Sequence, residues 1–358
     1  MAPRIAIMAG GTGGHVFPAL AVAEVLRARG ADVFWLGTRA GLEARLVPEQ
    51  GFEIEWLSVT GIRGKGLRTL AAAPLRFAGA LGEAAGILKR RAPAAVLGMG
   101  GFASGPGGIM AWRQRRPLLI QEQNSVPGMT NQWLARVADQ VFEAFPNSFP
   151  VARRAITVGN PVRTEITALP PPQARLAGRS GAARLLVLGG SLGAQALNET
   201  LAQALAQLPQ PLRPVVRHQA GERTLGLAQQ AYTDAGIKAE VRAFITDMAE
   251  AYAWADLVIC RSGALTVSEL AAAGLAAILV PYPHAVDDHQ VGNARWLSDV
   301  GAAQLLLQQE MNAARLASLL EPLLADPRQR LSMAEAARAK AQPNAAERIA
   351  QACLERAG

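Results

Sequence analysis

The chain is poor in most features that would tie it to a special environment. It has two cysteines in 358 residues, Cys260 and Cys353, far apart and in no C-x-x-C pattern. That spacing argues against a disulfide framework or a cysteine zinc site and fits a reducing cytosol. No signal peptide is visible, because the apolar run after Arg4 ends at Ala9 and passes into a glycine loop. The longest uncharged stretch, residues 92–112, holds six glycines and two prolines, a density no lipid-facing helix tolerates. It reads instead as strand, loop and helix start. Aromatic residues make up only 5% and no nucleic-acid-binding module is recognisable, so a nucleic-acid partner is not expected. The P-loop pattern G-x-x-x-x-G-K-[ST] is missing, and so is any D-x-D that would hold a diphosphate on a metal.

What remains is a globular composition, half hydrophobic and 18% charged, long enough for two domains. The net charge of +8 is unevenly placed. Residues 1–163 carry 19 Lys and Arg against 10 Asp and Glu, whereas residues 164–358 carry 17 against 18. Excess positive charge confined to one half points to an anionic partner such as a phospholipid surface or a phosphorylated substrate.

Both halves repeat one pattern. An apolar strand from Arg4 leads into Gly10-Gly-Thr-Gly-Gly14, and apolar spacing predicts a helix over Phe17 to Arg29, then a strand from Asp32. In the second half the strand Arg184 to Leu188 leads into Gly189-Gly-Ser-Leu-Gly-Ala194 and a helix from Gln195. Strand, glycine loop, helix, strand is a βαβ unit with a parallel sheet. The Pro/Gly-rich stretch around 158–172 separates the halves. The expected architecture is therefore two doubly wound α/β domains, 1–163 and 164–340, with ligand loops at the carboxyl ends of the strands and the site between them.

The glycine loops are not a dinucleotide fingerprint. G-x-G-x-x-G from Gly11 would need glycine at Val16, and the second strand ends without the ribose-binding acid, leaving only Arg39 for an NADP-type oxidoreductase. Such loops still present free N–H groups and a helix dipole to an anion, and two of them favour a phosphate-bearing ligand. Further polar clusters follow strands. Thr266-x-x-Glu269 fits a capping box, or else Glu269 accepts from ribose hydroxyls. The stretch 280–290 contains His284 and His289 but follows no metal-ligand spacing, so no metal is expected. Any diphosphate would be neutralised by helix N-termini and arginine, with Arg163 as a candidate.

Taken together, GGTGGHVFPALAVA (10–23), GIRGKG (61–66), VLGMGGFASGPGG (96–108), EQN (122–124), VGNPVR (158–163), GGSLGA (189–194) and AYAWADLVICRSGALTVSELAAAGLAAILVPYPHAVDDHQ (251–290) run in order almost from end to end. They resemble the MurG-type N-acetylglucosaminyltransferases of bacterial cell-wall synthesis. The resemblance implies a GT-B architecture: two Rossmann-like domains with an interdomain cleft and a last helix, about 341–358, packing back on the first domain. It implies transfer of N-acetylglucosamine from UDP-GlcNAc to the 4-hydroxyl of the muramoyl sugar of undecaprenyl-linked lipid I, giving lipid II. No cofactor or metal is implied. The amino-terminal domain would hold the acceptor and face the cytoplasmic side of the inner membrane, and the carboxy-terminal domain would hold the donor. The nearest rival is a GT-B enzyme with another acceptor.

By the same resemblance, Thr12, Gly13 and Gly14 would approach the donor sugar and diphosphate, Asn124 the sugar, and Arg163 and Ser191 the phosphates. Ile245 would offer its backbone to uracil. Ala264, Leu265, Thr266, Val267, Ser268 and Glu269 would line the nucleotide, with Glu269 on the ribose, and Gln290 would bind the sugar hydroxyls. The family commonly has histidine before the EQN triplet, where this chain has Gln121. His15 is the candidate general base for a single inverting displacement, and Glu122 is the weaker one. Arg63, Lys65, Arg68 and Arg76, interleaved with Leu75 and Leu81 and followed by Trp112, form an apolar patch rimmed by cations that suits anionic inner-membrane lipids.

Overall fold

A computed structural model describes residues 2–59, 67–190, 193–285 and 288–358, with side chains from 74 onward in the helix Leu67–Arg91. The chain forms two compact units, Met1–Arg163 with Gln342–Gly358, and Thr164–Ala341.

The first unit is built on seven parallel strands: β1 Arg4–Met8, β2 Asp32–Gly37, β3 Glu53–Trp56, β4 Ala95–Gly98, β5 Leu118–Glu122, β6 Gln140–Glu143 and β7 Ile156–Thr157. Their order is β3-β2-β1-β4-β5-β6-β7, so the winding reverses between β1 and β4. Both faces are covered. Ile5, Ile7, Val33, Trp35, Ala95 and Leu97 point to one face, where they meet Val16 to Leu26 of the first helix. Ala6, Met8, Phe34, Leu36 and Val96 point to the other, against Ala84 to Leu88, Ala111 and Leu134 of three further helices. The period of two explains why these strands are apolar throughout: a sheet covered on both sides has no wet face.

The last helix, Ala345–Ala357, belongs to this unit. Ala346, Ile349, Ala350 and Cys353 lie in the same core as β1 and the first helix. At the entry to this return segment, Gly159 has φ +84 and a Cβ there would come within 2.4 Å of Gln342 Cβ, so only glycine fits.

The second unit repeats the scheme with six parallel strands: β8 Arg184–Leu188, β9 Val215–Gln219, β10 Ala239–Arg242, β11 Leu257–Cys260, β12 Ala276–Leu279 and β13 Ala303–Leu305. The order is β10-β9-β8-β11-β12-β13, with the reversal between β8 and β11. In such sheets ligands bind beyond the carboxyl ends of the strands at the reversal.

His218 on β9 is fully buried, with Nδ1 3.0 Å from the Tyr232 hydroxyl and Nε2 without a partner among the described residues. Burial pushes its pKa from 6.5 down to about 4. Between those values the unfolded chain takes up a proton that the folded chain refuses. This residue's contribution to stability is therefore intact above pH 6.5 and is lost as pH falls towards 4. Wild type should lose about 2 kcal/mol more of its unfolding free energy between pH 7 and pH 5 than His218→Gln does. Urea unfolding curves at the two pH values check this, and parallel losses would contradict it.

Candidate active site

The first glycine loop sits at the carboxyl end of β1, at the reversal of the first sheet. The helix after it begins at Gly13, four residues before the start that apolar spacing suggests, so Gly13, Gly14 and His15 form its first turn. Thr12 is the N-cap, in extended conformation, and its side chain caps nothing. The N–H groups of Gly13 and Gly14 consequently have no partner among the described residues, while His15 N reaches back to Thr12 O at 3.1 Å. A helix of 16 residues opens here with bare donors and no acidic residue in its first turn, the condition for attracting an anion.

Two features hold the loop in this shape. Glu43 lies buried beneath it and accepts from Gly11 N at 2.9 Å, Thr38 N at 3.0 Å and Thr38 Oγ1 at 2.7 Å. The β4 loop also crosses closely, since a Cβ on Gly101 would lie 2.4 Å from Gly10 O, and one on Gly100 would lie 2.7 Å from His15 Nδ1. The sequence gives no sign of this role for Glu43, because a single acid between Leu42 and Ala44 carries no signal.

His15 is half-buried, and its Nδ1 is 2.6 Å from Gln123 Oε1. The loops after β1, β4 and β5 thus meet at this imidazole. Glu122 has a different part. It is 2% exposed and its carboxylate accepts from Asn124 N at 2.9 Å, Asn124 Nδ2 at 3.2 Å, Gly128 N at 3.1 Å and Asn131 Nδ2 at 2.9 Å. Four N–H donors around a buried carboxylate describe a loop organiser, a structural part that this geometry gives Glu122 whatever its role as the weaker candidate base. Asn124 is half-buried against it. Arg163 lies in the same unit, with its guanidinium 5.3 Å from the Phe17 ring centroid. Arg39, which an NADP site would need, instead stacks 4.7 Å from the Trp56 ring.

In the second unit Ser191 lies outside the described residues. Glu269 is 5% exposed on the helix Ala264–Ala273, and its Oε2 accepts from the Tyr252 hydroxyl at 2.9 Å. The capping box does not form. Gly263 is the N-cap, which makes Thr266 the third helical residue and places Glu269 beyond reach of the cap. Ala264, Leu265 and Thr266 open the helix. Val267 is fully buried, and Ser268 turns its Oγ back to Ala264 O at 2.9 Å, so both support the turn from inside. Ile245 N already donates to Gln219 Oε1 at 2.9 Å, so a base approaching it must displace that amide or use the carbonyl. Gln290 Oε1 accepts from Tyr282 N at 2.9 Å, and Ser262 Oγ donates to Gln290 O at 2.8 Å, tying the β11 and β12 loops together. His284 packs edge-on to Tyr282, with centroids 5.5 Å apart. Burial, with Glu269 close by, pushes the Cys260 thiol up to about 12.

Among the patch residues, Arg63 and Lys65 lie outside the described residues, as do the side chains of Arg68 and Leu70. Leu75 is 79% exposed, Arg76 is exposed, Trp112 is 54% exposed and Leu81 is half-buried. Met129 and Trp133, 65% and 64% exposed, belong to the short helix Met129–Leu134 on the same face of the sheet, with Arg136 4.1 Å over the Trp133 ring. The sequence signal for these two is short, since M-x-x-x-W with Leu134 turned inward is a single i, i+4 apolar pair. No helix among the described residues is long and apolar enough to cross a membrane.

Comparison with known proteins places these features in a wider set. Residues 5–143 match the model of the glycosyltransferase family 28 N-terminal domain, and residues 184–349 match that of the family 28 C-terminal domain. The chain is 57% identical over 357 residues to the UDP-N-acetylglucosamine--N-acetylmuramyl-(pentapeptide) pyrophosphoryl-undecaprenol N-acetylglucosamine transferase of Alkalilimnicola ehrlichii, with 100% of both chains covered. It is 56% identical over 355 residues to the transferase of the same name from Nitrosococcus oceani, with 99% of each covered. The crystal structure of Acinetobacter baumannii MurG superposes with a TM-score of 0.85 at 42% identity, covering 99% of both chains.

Proposed function

The chain belongs to glycosyltransferase family 28, and from that premise we propose a division of labour among its residues for the transfer of N-acetylglucosamine to lipid I. It is a UDP-GlcNAc-dependent N-acetylglucosaminyltransferase that forms lipid II for peptidoglycan. The observation that carries the assignment of roles is the uncapped helix opening at Gly13, with His15 held in its first turn by Gly100 and Gln123.

In this reading His15 accepts the proton of the muramoyl 4-hydroxyl as that oxygen attacks the anomeric carbon of the donor. The C1–O bond to UDP breaks on the opposite face, so the α-linked donor gives a β-linked product. Negative charge developing on the departing diphosphate is met by fixed N–H dipoles at Gly13 and Gly14, by the loop containing Ser191, by the opening of the helix Ala264–Ala273 and by Arg163. Preset donors need no reorganisation as the charge appears, which is why helix openings serve this purpose. Glu269, oriented by Tyr252, accepts from the ribose hydroxyls. Thr12, Asn124 and Gln290 approach the sugar, and Ile245 approaches the base. The N-terminal unit holds the acceptor and the C-terminal unit holds the donor. Acceptor-dependent UDP release tests the transfer itself.

The acceptor's undecaprenyl chain is anchored in lipid, so the enzyme must work at a membrane surface, and we place it on the cytoplasmic face. Leu75, Trp112, Met129 and Trp133, exposed on three helices that share one sheet face, are the insertion residues, with the exposed Arg76, Arg113 and Arg136 for anionic headgroups and Arg63, Lys65 and Arg68 adding positive charge from the adjoining sequence. Each such cation contributes about 1 kcal/mol near an anionic surface. Replacing Arg63, Arg68 and Arg76 by alanine should therefore weaken binding to anionic vesicles by about 100-fold. Vesicle flotation measures it, and binding that ignores both these changes and added salt would refute the patch.

A further inference from the structure

We propose that Gln123 is a positioning residue that sets the tautomer of His15, and that its own orientation is dictated by three backbone carbonyls at the end of β5. The proposal rests on the reading of His15 as the base and supplies what that reading needs, a ring nitrogen free to accept a proton.

Three groups at this strand end have a polarity that is not adjustable. The carbonyl oxygens of Gln121, Glu122 and Gln123 can only accept. Gln123 Nε2 lies 3.1 Å from Gln121 O, so the amide must turn its NH₂ that way, since a flipped amide would set two oxygens face to face. Asn160 Nδ2 lies 3.0 Å from Gln123 O, which fixes that amide too and leaves Asn160 Oδ1 as an acceptor. Gln121 Nε2 then donates to Asn160 Oδ1 at 3.1 Å and to Glu122 O at 2.9 Å. Gln121 Oε1 is left to accept the second hydrogen of Gln123 Nε2. All three side chains are buried, 0–2% exposed, and each assignment agrees with the others.

One end of Gln123 remains, its Oε1, and it faces His15 Nδ1 at 2.6 Å. An amide oxygen there requires Nδ1 to carry the ring proton. In the neutral ring the lone pair is then on Nε2, to which no described residue bonds. Free imidazole side chains in water favour the opposite tautomer, with the proton on Nε2, which cannot take a proton from a substrate. The amide chain reverses that preference before any substrate arrives. The departure at position 121 falls inside this chain, where glutamine supplies the acceptor for Gln123 and the donor for Asn160 at once.

The experiment is ¹⁵N NMR of the full-length protein labelled at histidine, above neutral pH, with the His15 signals identified by their loss in His15→Gln. Wild type should show a protonated Nδ1 and a bare, pyridine-like Nε2. Gln123→Met, of similar length but without hydrogen-bonding capacity, should move the ring towards the Nε2–H form. It should also lower kcat about 10-fold with donor KM nearly unchanged, well short of the ~10⁴-fold loss when a catalytic histidine is fully held in the wrong tautomer. A wild-type His15 protonated on Nε2 overturns the proposal without any variant, even if Gln123→Met fails to fold. An unchanged tautomer in folded Gln123→Met overturns the role of Gln123. If the tautomers behave as stated but His15→Gln keeps its full kcat, the base reading fails and the positioning remains.

Discussion

Alanine at His15 should lower kcat by ~10²–10⁴-fold while leaving the donor KM within a few-fold of wild type. The size follows from what a positioned base contributes: without it the acceptor hydroxyl must lose its proton to water or buffer as it attacks. The KM expectation follows from where the ring sits. Its Nδ1 is engaged with Gln123, and its backbone N–H closes the first helical turn onto Thr12, so truncating the side chain leaves the helix opening and its bare donors in place. The ring is partly exposed, so water can enter the space it leaves, and the loss in stability should stay within the ~1–3 kcal/mol that goes with taking the partner from Gln123 Oε1. Steady-state kinetics at saturating donor and acceptor separate the two parameters. A kcat equal to wild type would reassign the imidazole to packing against Gly100.

Glu269 should show the opposite pattern. Glu269→Ala removes a charged acceptor for the ribose, and hydrogen bonds to charged groups contribute ~1.5–3 kcal/mol, so the donor KM should rise by about 10–150-fold with kcat far less affected. The same change removes the carboxylate to which the fully buried Tyr252 hydroxyl donates. That should cost a further ~1–3 kcal/mol of stability. Tyr252→Phe separates the two effects, because it removes the hydroxyl and keeps the carboxylate. It should raise the donor KM only slightly. A donor KM unmoved in Glu269→Ala would remove Glu269 from the nucleotide site.

The doubly wound scheme is legible in the sequence because both of its signals are local. Apolar runs such as Ile5 to Ala9 and Leu257 to Cys260 mark strands covered on both faces, and the glycine clusters mark the turns that follow them. The helix start is less legible. Periodicity places it at Phe17 because Gly13 and Gly14 carry no apolar signal, yet their backbone already turns as helix. That shift changes the chemistry, since it moves His15 from a loop into a first turn. The capping-box pattern at Thr266 and Glu269 fails for a similar reason: the spacing is right, but the cap falls at Gly263, three residues earlier. Glu43 carries no local signal, and Gln123 and Asn160, though they lie in the EQN and VGNPVR stretches, give no local sign of their pairing. Glu43 acts on Gly11, 32 residues away, and Asn160 on Gln123, 37 residues away, through neighbours that only the sheet order creates. Of the exposed apolar side chains, Leu75 and Trp112 stand beside arginines in the sequence and are legible there, whereas Met129 and Trp133 lie on a helix of only six residues.

If His15 is the base, proton removal at its imidazole is coupled to sugar transfer onto a lipid-linked muramoyl acceptor. The most direct measurement is UDP release from UDP-GlcNAc with and without a short-chain lipid I analogue, for wild type and His15→Ala in parallel. Release should depend on the acceptor, yield a β-linked disaccharide and fall by at least ~10² in the variant. Release at the same rate without acceptor would rule out transfer to this acceptor, and equal rates for the two proteins with it would rule out His15 as the base.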